Sequence, residues 1–290
     1  MNNAINVWQH IPEAISPYLF EVGAFQIRYY SLMYLVAFML TYVLVSYRIK
    51  HEGYNYSNET VQDFFLWAIV GLIVGARLGY VLFYQFDYYA KHPFEIFLPF
   101  DFSRGVKFIG ISGMSYHGGA IGVLVAAIIY CRKHAINFWN FADLFCPAIP
   151  LGYTFGRIGN FINGELYGRA TDVPWGMYFP LDPTRQLRHP SQLYEAFFEG
   201  IVLFIILWSI RKKKKFDGFF FALYLIGYGL VRFFIEFLRE PDMHLGFILA
   251  SLSMGQLLCV LMIGAGMGIF AYRRWAAALP NAVKNKNVRR

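Results

Sequence analysis

Charge is scarce in this chain. Only 15% of its 290 residues are charged, against about 25% in ordinary soluble domains, while 57% are hydrophobic and 20% aromatic. That balance excludes a conventional soluble fold. Cysteine is scarce too: Cys131, Cys146 and Cys259 form no CxxC pair, each sits in or beside an apolar run, and their number is odd. A disulfide framework, a zinc site and a cysteine nucleophile are therefore not expected. Residues 1–27 hold no lysine or arginine, so the positive n-region of a secretory signal is missing. No GxxxxGK[ST], GxGxxG or GxSxG motif occurs, which leaves ATP, dinucleotide and serine-hydrolase chemistry without a signal. No histidine pair stands at metal-ligand spacing, and no internal repeat of the kind that builds many transporters is visible.

What the chain does have is a series of apolar runs long enough to cross a bilayer. Seven spans are expected, near 30–48, 64–84, 117–131, 141–159, 196–211, 219–238 and 251–272, with the Phe108–Met114 stretch as an interfacial or re-entrant lead into the third. The fold class is thus an all-α integral membrane protein whose long loops, 85–116 and 160–195, form an extracytoplasmic head. The formal net charge is +8, but the basic residues gather at the ends of apolar runs. That pattern points to lipid headgroups and topology rather than nucleic acid. With the C-terminus inside, 15 Lys and Arg fall on the cytoplasmic side and 8 outside. Arg211–Lys215 is the strongest single contribution and reads as a topology anchor. The expected arrangement is a segment 1–29 outside, a membrane domain over 30–272, and a basic cytoplasmic tail over 273–290.

Ionisable residues in or at the edges of these spans are few, and such residues are expensive in lipid and usually functional. The densest group is Gly156-Arg-Ile-Gly-Asn-Phe-Ile-Asn-Gly-Glu-Leu-Tyr-Gly168. It holds Arg157, Asn160, Asn163, Glu165 and four glycines suited to close backbone approach to a ligand or a turn with positive φ. Tyr228, Arg232, Glu236 and Arg239 fall at helical spacing and predict one polar ridge, with Arg232 and Glu236 able to pair. Counted against Glu236 alone, the arginines of this group and Arg157 are in surplus, which suits a phosphate held by bidentate guanidinium contacts. A lone histidine is more often structural than catalytic. Yet His117, in Ser-Tyr-His-Gly-Gly at the mouth of a span, is left accessible by its glycines and able to take a proton near neutral pH. Ser191 and Glu195 read as a helix cap and a first-turn carboxylate complementing the dipole.

Together these blocks resemble the prolipoprotein diacylglyceryl transferase family of bacteria. The resemblance is carried by the Gly156–Gly168 run together with Tyr29-Tyr30, Gly75-Ala-Arg-Leu-Gly-Tyr80, Ser115-Tyr-His-Gly-Gly119, Arg188-His-Pro-Ser-Gln-Leu-Tyr-Glu195, and Gly227-Tyr-Gly-Leu-Val-Arg232 through Glu236 to Arg239. The blocks run nearly the whole length in the family's order; the stretch 170–187 carries none of them. The resemblance implies an inner-membrane enzyme with seven spans, N-terminus periplasmic and C-terminus cytoplasmic. It would move the diacylglyceryl group of phosphatidylglycerol onto the lipobox cysteine of a prolipoprotein signal peptide, releasing sn-glycerol 1-phosphate. It would work without metal or cofactor. Separately from the resemblance, a monomer is expected. Carried onto this chain, Arg157 and Arg232 would grip the phosphate and His117 would orient or deprotonate the thiol. Tyr30, Asn160, Glu165 and Gly168 would shape the headgroup pocket. Glu236 would hold Arg232, Arg239 would add positive potential, and Tyr228 would bond the lipid. The rival class is a lipid or anion transporter with an arginine-lined site.

Overall fold

A computed structural model describes residues 3–22, 25–98, 100–101, 107–108, 113–240, 247–249 and 252–279. Most of the expected Phe108–Met114 lead and of the basic tail lies outside the described residues. The protein is mainly helical. In chain order come α1 (Asn3–Gln9), α2 (Ile11–Ala14), the antiparallel pair β1 (Tyr18–Val22) and β2 (Phe25–Arg28), α3 (Tyr29–His51), α4 (Asn58–Tyr84), α5 (Phe86–Lys91), a 3₁₀ turn (Pro93–Ile96), and the short pair β3 (Phe100–Asp101) and β4 (Lys107–Phe108). Then follow α6 (Tyr116–Lys133), α7 (Phe138–Phe145), α8 (Ile149–Ile162), α9 (Ser191–Tyr194), a π-helical stretch (Glu195–Val202), α10 (Leu203–Ser209), α11 (Phe219–Ile235), the pair β5 (Phe247–Leu249) and β6 (Leu252–Ser253), and α12 (Met254–Ala278).

Four helical runs among the described residues are long and apolar enough to cross a membrane: Tyr29–His51, Asn58–Tyr84, Ser191–Ser209 and Met254–Ala278. They present large apolar side chains outward, among them Leu35, Met39, Val70 and Leu261. A soluble protein rarely shows so continuous a surface of this kind, and lipid accounts for it. The chain is a multi-pass membrane protein.

Local chemistry sets the helix ends. Ser57 caps α4 by accepting from the Thr60 N–H, and Ser115 caps α6 by accepting from the Gly118 N–H. Ser253 and Gln256 form a reciprocal capping box that starts α12 at Met254, and the helix then runs to Ala278, six residues past the expected end. The expected single span 141–159 is divided. α7 stops at Phe145 and α8 begins at Ile149. Pro147, which has no N–H to donate, sits in the intervening turn, and Pro150 stands at the start of α8, where that lack costs nothing. The expected span 219–238 is helical only to Ile235.

The chain forms two compact units, residues 55–141 and residues 1–54 with 142–290. In the first, α4 packs on α6 through glycine. A Cβ on Gly75 would stand 2.6 Å from Gly122 Cα, and one on Gly79 would stand 2.7 Å from Gly118 Cα. Backbones approach this closely only where side chains are missing. Arg77, buried on α4, donates to the carbonyls of Glu95 and Ile96 and so ties the 3₁₀ turn to the helix.

In the second unit α3 packs on α8, α8 on the π-helical stretch, and α11 on α12. Segment 163–190 is tied to its neighbours by backbone bonds. The Gly168 N–H donates to His189 O, Arg188 and Met177 exchange N–H···O bonds, and the Arg169 N–H donates to Leu238 O. Its small core is Phe161, Met177 and Phe179, with Ile11 and Ile15 against it.

Candidate active site

α8 and α11 end, and the Ser191–Ser209 helix begins, beside segment 163–190. These ends bring the arginines together. Glu195, with no measurable exposure, is the hub. Arg157 Nε lies 2.7 Å from its Oε2, Arg232 Nη1 lies 3.1 Å from the same oxygen, and Arg239 Nη1 lies 3.3 Å from Oε1. Arg232 Nη2 donates to Glu236 Oε2 at 2.9 Å, as the four-residue spacing predicts, and Glu236 Oε1 accepts from the Ser253 hydroxyl. One turn beyond Glu195, the fully buried Glu199 accepts from the Tyr153 hydroxyl at 2.5 Å and faces Arg232 Nη1 at 3.6 Å.

Three expectations change here. The guanidinium surplus disappears once Glu195 and Glu199 are counted with Glu236, because three carboxylates meet three arginines. A buried like-charge trio would not hold together otherwise. Glu195 is not a dipole partner, and Ser191 does not cap its helix. The Ser191 hydroxyl donates instead to Leu166 O at 3.0 Å, and α9 starts without a side-chain cap. The single ridge is also shorter than expected. α11 stops at Ile235 and Glu236 is its C-cap. Arg239 lies beyond a turn, pairs as an isolated bridge with Gly168, and reaches Glu195 from there. Arg169 Nε holds that strand by donating to Arg239 O at 2.8 Å.

The signature run 156–168 is a polar corner. Arg157 Nη1 donates to Asn160 Oδ1 at 3.3 Å, and the Asn160 and Asn163 amides donate to Glu165 Oε1 at 2.9 and 3.1 Å. Gln192 Nε2 donates to Glu165 O at 2.7 Å and pins the turn to the next helix. Gly164 has φ of 68°, a conformation glycine adopts without strain. Gly168 allows its strand to approach His189 and Leu238, and Gly159 allows the Tyr30 ring onto α8. The glycines thus serve close approach within the protein itself. Tyr30 shares a hydroxyl–hydroxyl bond of 3.0 Å with Tyr34. Tyr228 sits edge-on to Tyr153, ring centroids 5.6 Å apart. Of the expected residues, Arg157, Asn160, Glu165, Gly168, Tyr228, Arg232, Glu236, Arg239 and Tyr30 all lie in this unit. His117 is exposed near the N-terminus of α6 in the other.

Tyr153 is the residue the sequence reading missed, although it stands four residues before Arg157 on the same helix face. Arg188, quoted only as part of a motif, is a clip. It grips Asp182 through two bonds of 2.8 and 3.1 Å, pairs with Glu240, and lies over the Tyr167 ring. Burial alone would raise the Asp182 carboxyl, but the Arg188 and Thr184 hydrogen bonds outweigh it and bring it down to about 2.

The fold is that of a helical multi-pass membrane protein with a guanidinium–carboxylate cluster buried where its helices meet a structured loop. The sequence model of Prolipoprotein diacylglyceryl transferase matches residues 17–272, and the chain belongs to that family. A protein of Chlorobaculum tepidum named phosphatidylglycerol–prolipoprotein diacylglyceryl transferase is 54% identical over 271 residues, covering 93% of this chain and 94% of its own. Proteins of the same name from Wolinella succinogenes (46% over 257 residues; 88% and 92% covered) and Campylobacter hominis (44% over 265; 91% and 92%) are also similar.

Proposed function

We propose that the chain transfers the diacylglyceryl group of phosphatidylglycerol to the lipobox cysteine of prolipoproteins. The observation that carries this reading is the meeting of three arginines on one buried glutamate beside the 156–168 run, in a chain of this family. The thiolate of the incoming cysteine attacks the glyceryl carbon that bears the phosphate ester. The carbon–sulfur bond forms as the carbon–oxygen bond breaks, and sn-glycerol 1-phosphate leaves with the electron pair. The nucleophile belongs to the substrate, which fits a chain whose own three cysteines are all buried.

The leaving group gathers negative charge, so fixed cations at that point lower the barrier. Arg157 and Arg232 supply them. Glu195 holds the arginines together against mutual repulsion before substrate arrives, and Glu236 fixes the far edge of Arg232. Arg239 adds potential at the mouth. Tyr30, Asn160, Glu165 and Gly168 frame the headgroup, and Tyr228 bonds the lipid. His117 orients or deprotonates the thiol; an ordinary thiol is mostly protonated at neutral pH and attacks as the thiolate. Seven spans, the 163–190 segment on the periplasmic side as part of a head, the C-terminus in the cytoplasm and a monomeric enzyme complete the reading.

The test is a reconstituted assay with purified protein, phosphatidylglycerol and a lipobox peptide, read by mass spectrometry of the peptide cysteine. A diacylglyceryl thioether that disappears in folded R157A supports both reaction and site. Peptide left unmodified by folded wild-type protein would refute them.

A further inference from the structure

Tyr153 stands between Arg157 and Glu199 in the ion cluster. Its hydroxyl accepts from Arg157 Nε at 2.6 Å and donates to Glu199 Oε2 at 2.5 Å. The Arg157 guanidinium carbon also lies over its ring, 4.8 Å from the centroid. The charged and titratable groups facing it are Arg157 on its own helix, Glu195 and Glu199 on the π-helical stretch, and Arg232 and Tyr228 on α11. Glu195 already pairs with Arg157, and Glu199 meets Arg157 only through the phenol.

We propose that Tyr153 is a positioning residue, whose hydroxyl occupies Glu199 and thereby keeps Arg157 turned toward Asn160 and the substrate side. The inference rests on the transferase reading above. Its physical basis is the cost of an unsatisfied buried carboxylate. Without the phenol oxygen, Glu199 Oε2 loses its donor; Arg232 already faces the other oxygen, Oε1, at 3.6 Å, and Arg157, whose Nε the phenol had engaged, is the cation released to reach Oε2. The guanidinium then rotates to bond both glutamates and leaves Asn160 Oδ1, 3.3 Å from its Nη1 in the present arrangement. An arginine engaged by two carboxylates has fewer N–H groups to offer a developing phosphate charge. Among the described residues, Arg157 Nη2 donates to no protein group, so that edge is the one Tyr153 keeps available.

The π-helical stretch supports this geometry. It carries both glutamates, and the Thr154 hydroxyl, beside Tyr153, donates to Ala196 O at 3.3 Å inside it. Helix α8 therefore grips the glutamate-bearing turn at two neighbouring residues.

The experiment is a double-mutant cycle on kcat/KM for transfer from phosphatidylglycerol to a lipobox peptide, using full-length protein. Y153F keeps the ring and its stacking on Arg157 and removes only the hydroxyl. With Glu199 in place, Y153F should lower kcat/KM roughly tenfold, the scale of one hydrogen bond to a charged group. In the E199Q background the same change removes only the longer 3.3 Å contact to Glu195 Oε2, a carboxylate that Arg157, Arg232 and Arg239 already hold, and its cost should fall to within about threefold. A hydroxyl that merely fills space would give no loss in either background, and a hydroxyl that acts on its own would give equal losses in both. Either result overturns the proposal. If Y153F alone does not fold, the comparison of E199Q with Y153F/E199Q still tests the proposal: a tenfold loss there refutes it, whereas folding restored by E199Q with near-equal rates is the result expected, since an inert hydroxyl would not make folding depend on Glu199. Absence of transfer by folded wild-type protein would instead strike the transferase reading itself.

Discussion

Glu195 carries the largest consequence of any single residue. It is fully buried with three guanidinium groups around it, so removing its carboxylate leaves like charges facing each other in a low-dielectric site. Breaking a buried ion pair from one side typically costs about 3–5 kcal/mol. E195A should therefore unfold at markedly lower temperature in detergent as well as lose activity. R157A, whose guanidinium would act on the leaving phosphate, should cost about 3 kcal/mol of transition-state stabilisation, a loss of 100-fold or more in kcat. Parallel thermal melts and transfer rates check the pair. An E195A protein as stable as wild type would contradict the hub. At Asp182 the prediction concerns pH. Its carboxyl titrates at about 2 in the folded protein and near 4 in an unfolded chain. A depressed folded value means that the stabilisation is present above the unfolded pKa and is lost as pH falls from about 4 toward 2. Fluorescence of Trp175, in the same segment, should show an acid transition in that window, and D182N should shift or remove it.

At the scale of elements, the helices were legible because length and apolarity suffice for a membrane span, and because Ser57, Ser115 and Ser253 mark their starts. The Arg232–Glu236 pair was legible because four-residue spacing puts both on one face. What spacing cannot show is a contact between different helices. Glu195 and Glu199 look from sequence like early-turn acids of one helix, and only packing of α8, α11 and the π-helical stretch makes them partners of Arg157 and Arg232. Arg239 was placed on a helix by periodicity and is put in reach of Glu195 by a turn and by the Gly168 bridge instead. The glycines of α4 and α6 were read as part of motifs. Their role is a backbone seam, since a Cβ on Gly75 or Gly79 would stand less than 3 Å from the opposite helix. G75L should drive these helices apart at a cost of about 1–3 kcal/mol or more, visible as a loss of folded protein after detergent extraction. Gly264 on α12 has nothing within 4 Å of an added Cβ, so G264A should extract and melt like wild type. Equal behaviour of the two variants would count against the seam.

At the scale of the whole molecule, the unit that holds the arginines has two ionic clusters at opposite ends of its helices. One is the Glu195 hub beside segment 163–190. The other lies where α3 and α10 end and α11 begins. There the buried Arg48 pairs with Glu52 at 2.7 Å, Arg211 reaches Glu52 at 3.0 Å, and Lys214 bridges Asp143 and Asp217. Asp143 also accepts from the N–H groups of Gly218, Phe220 and Phe221, capping α11 from another element. The two clusters differ in what surrounds them. Around the second are the exposed Lys212, Lys213 and Lys215 on the turn and Lys50 at the end of α3, a basic collar of the kind that stays cytoplasmic. Around the first is a structured loop, with Gln186 among its exposed residues. If the basic collar faces the cytoplasm, the helices carry the Glu195 hub to the opposite leaflet, where secreted prolipoproteins emerge. The three native thiols are buried and give little background to labelling. A membrane-impermeant maleimide applied to intact spheroplasts should therefore label Q186C at once and K213C only after the membrane is opened. The reverse pattern would place the arginine hub on the cytoplasmic side and remove the topological basis for its meeting an exported substrate.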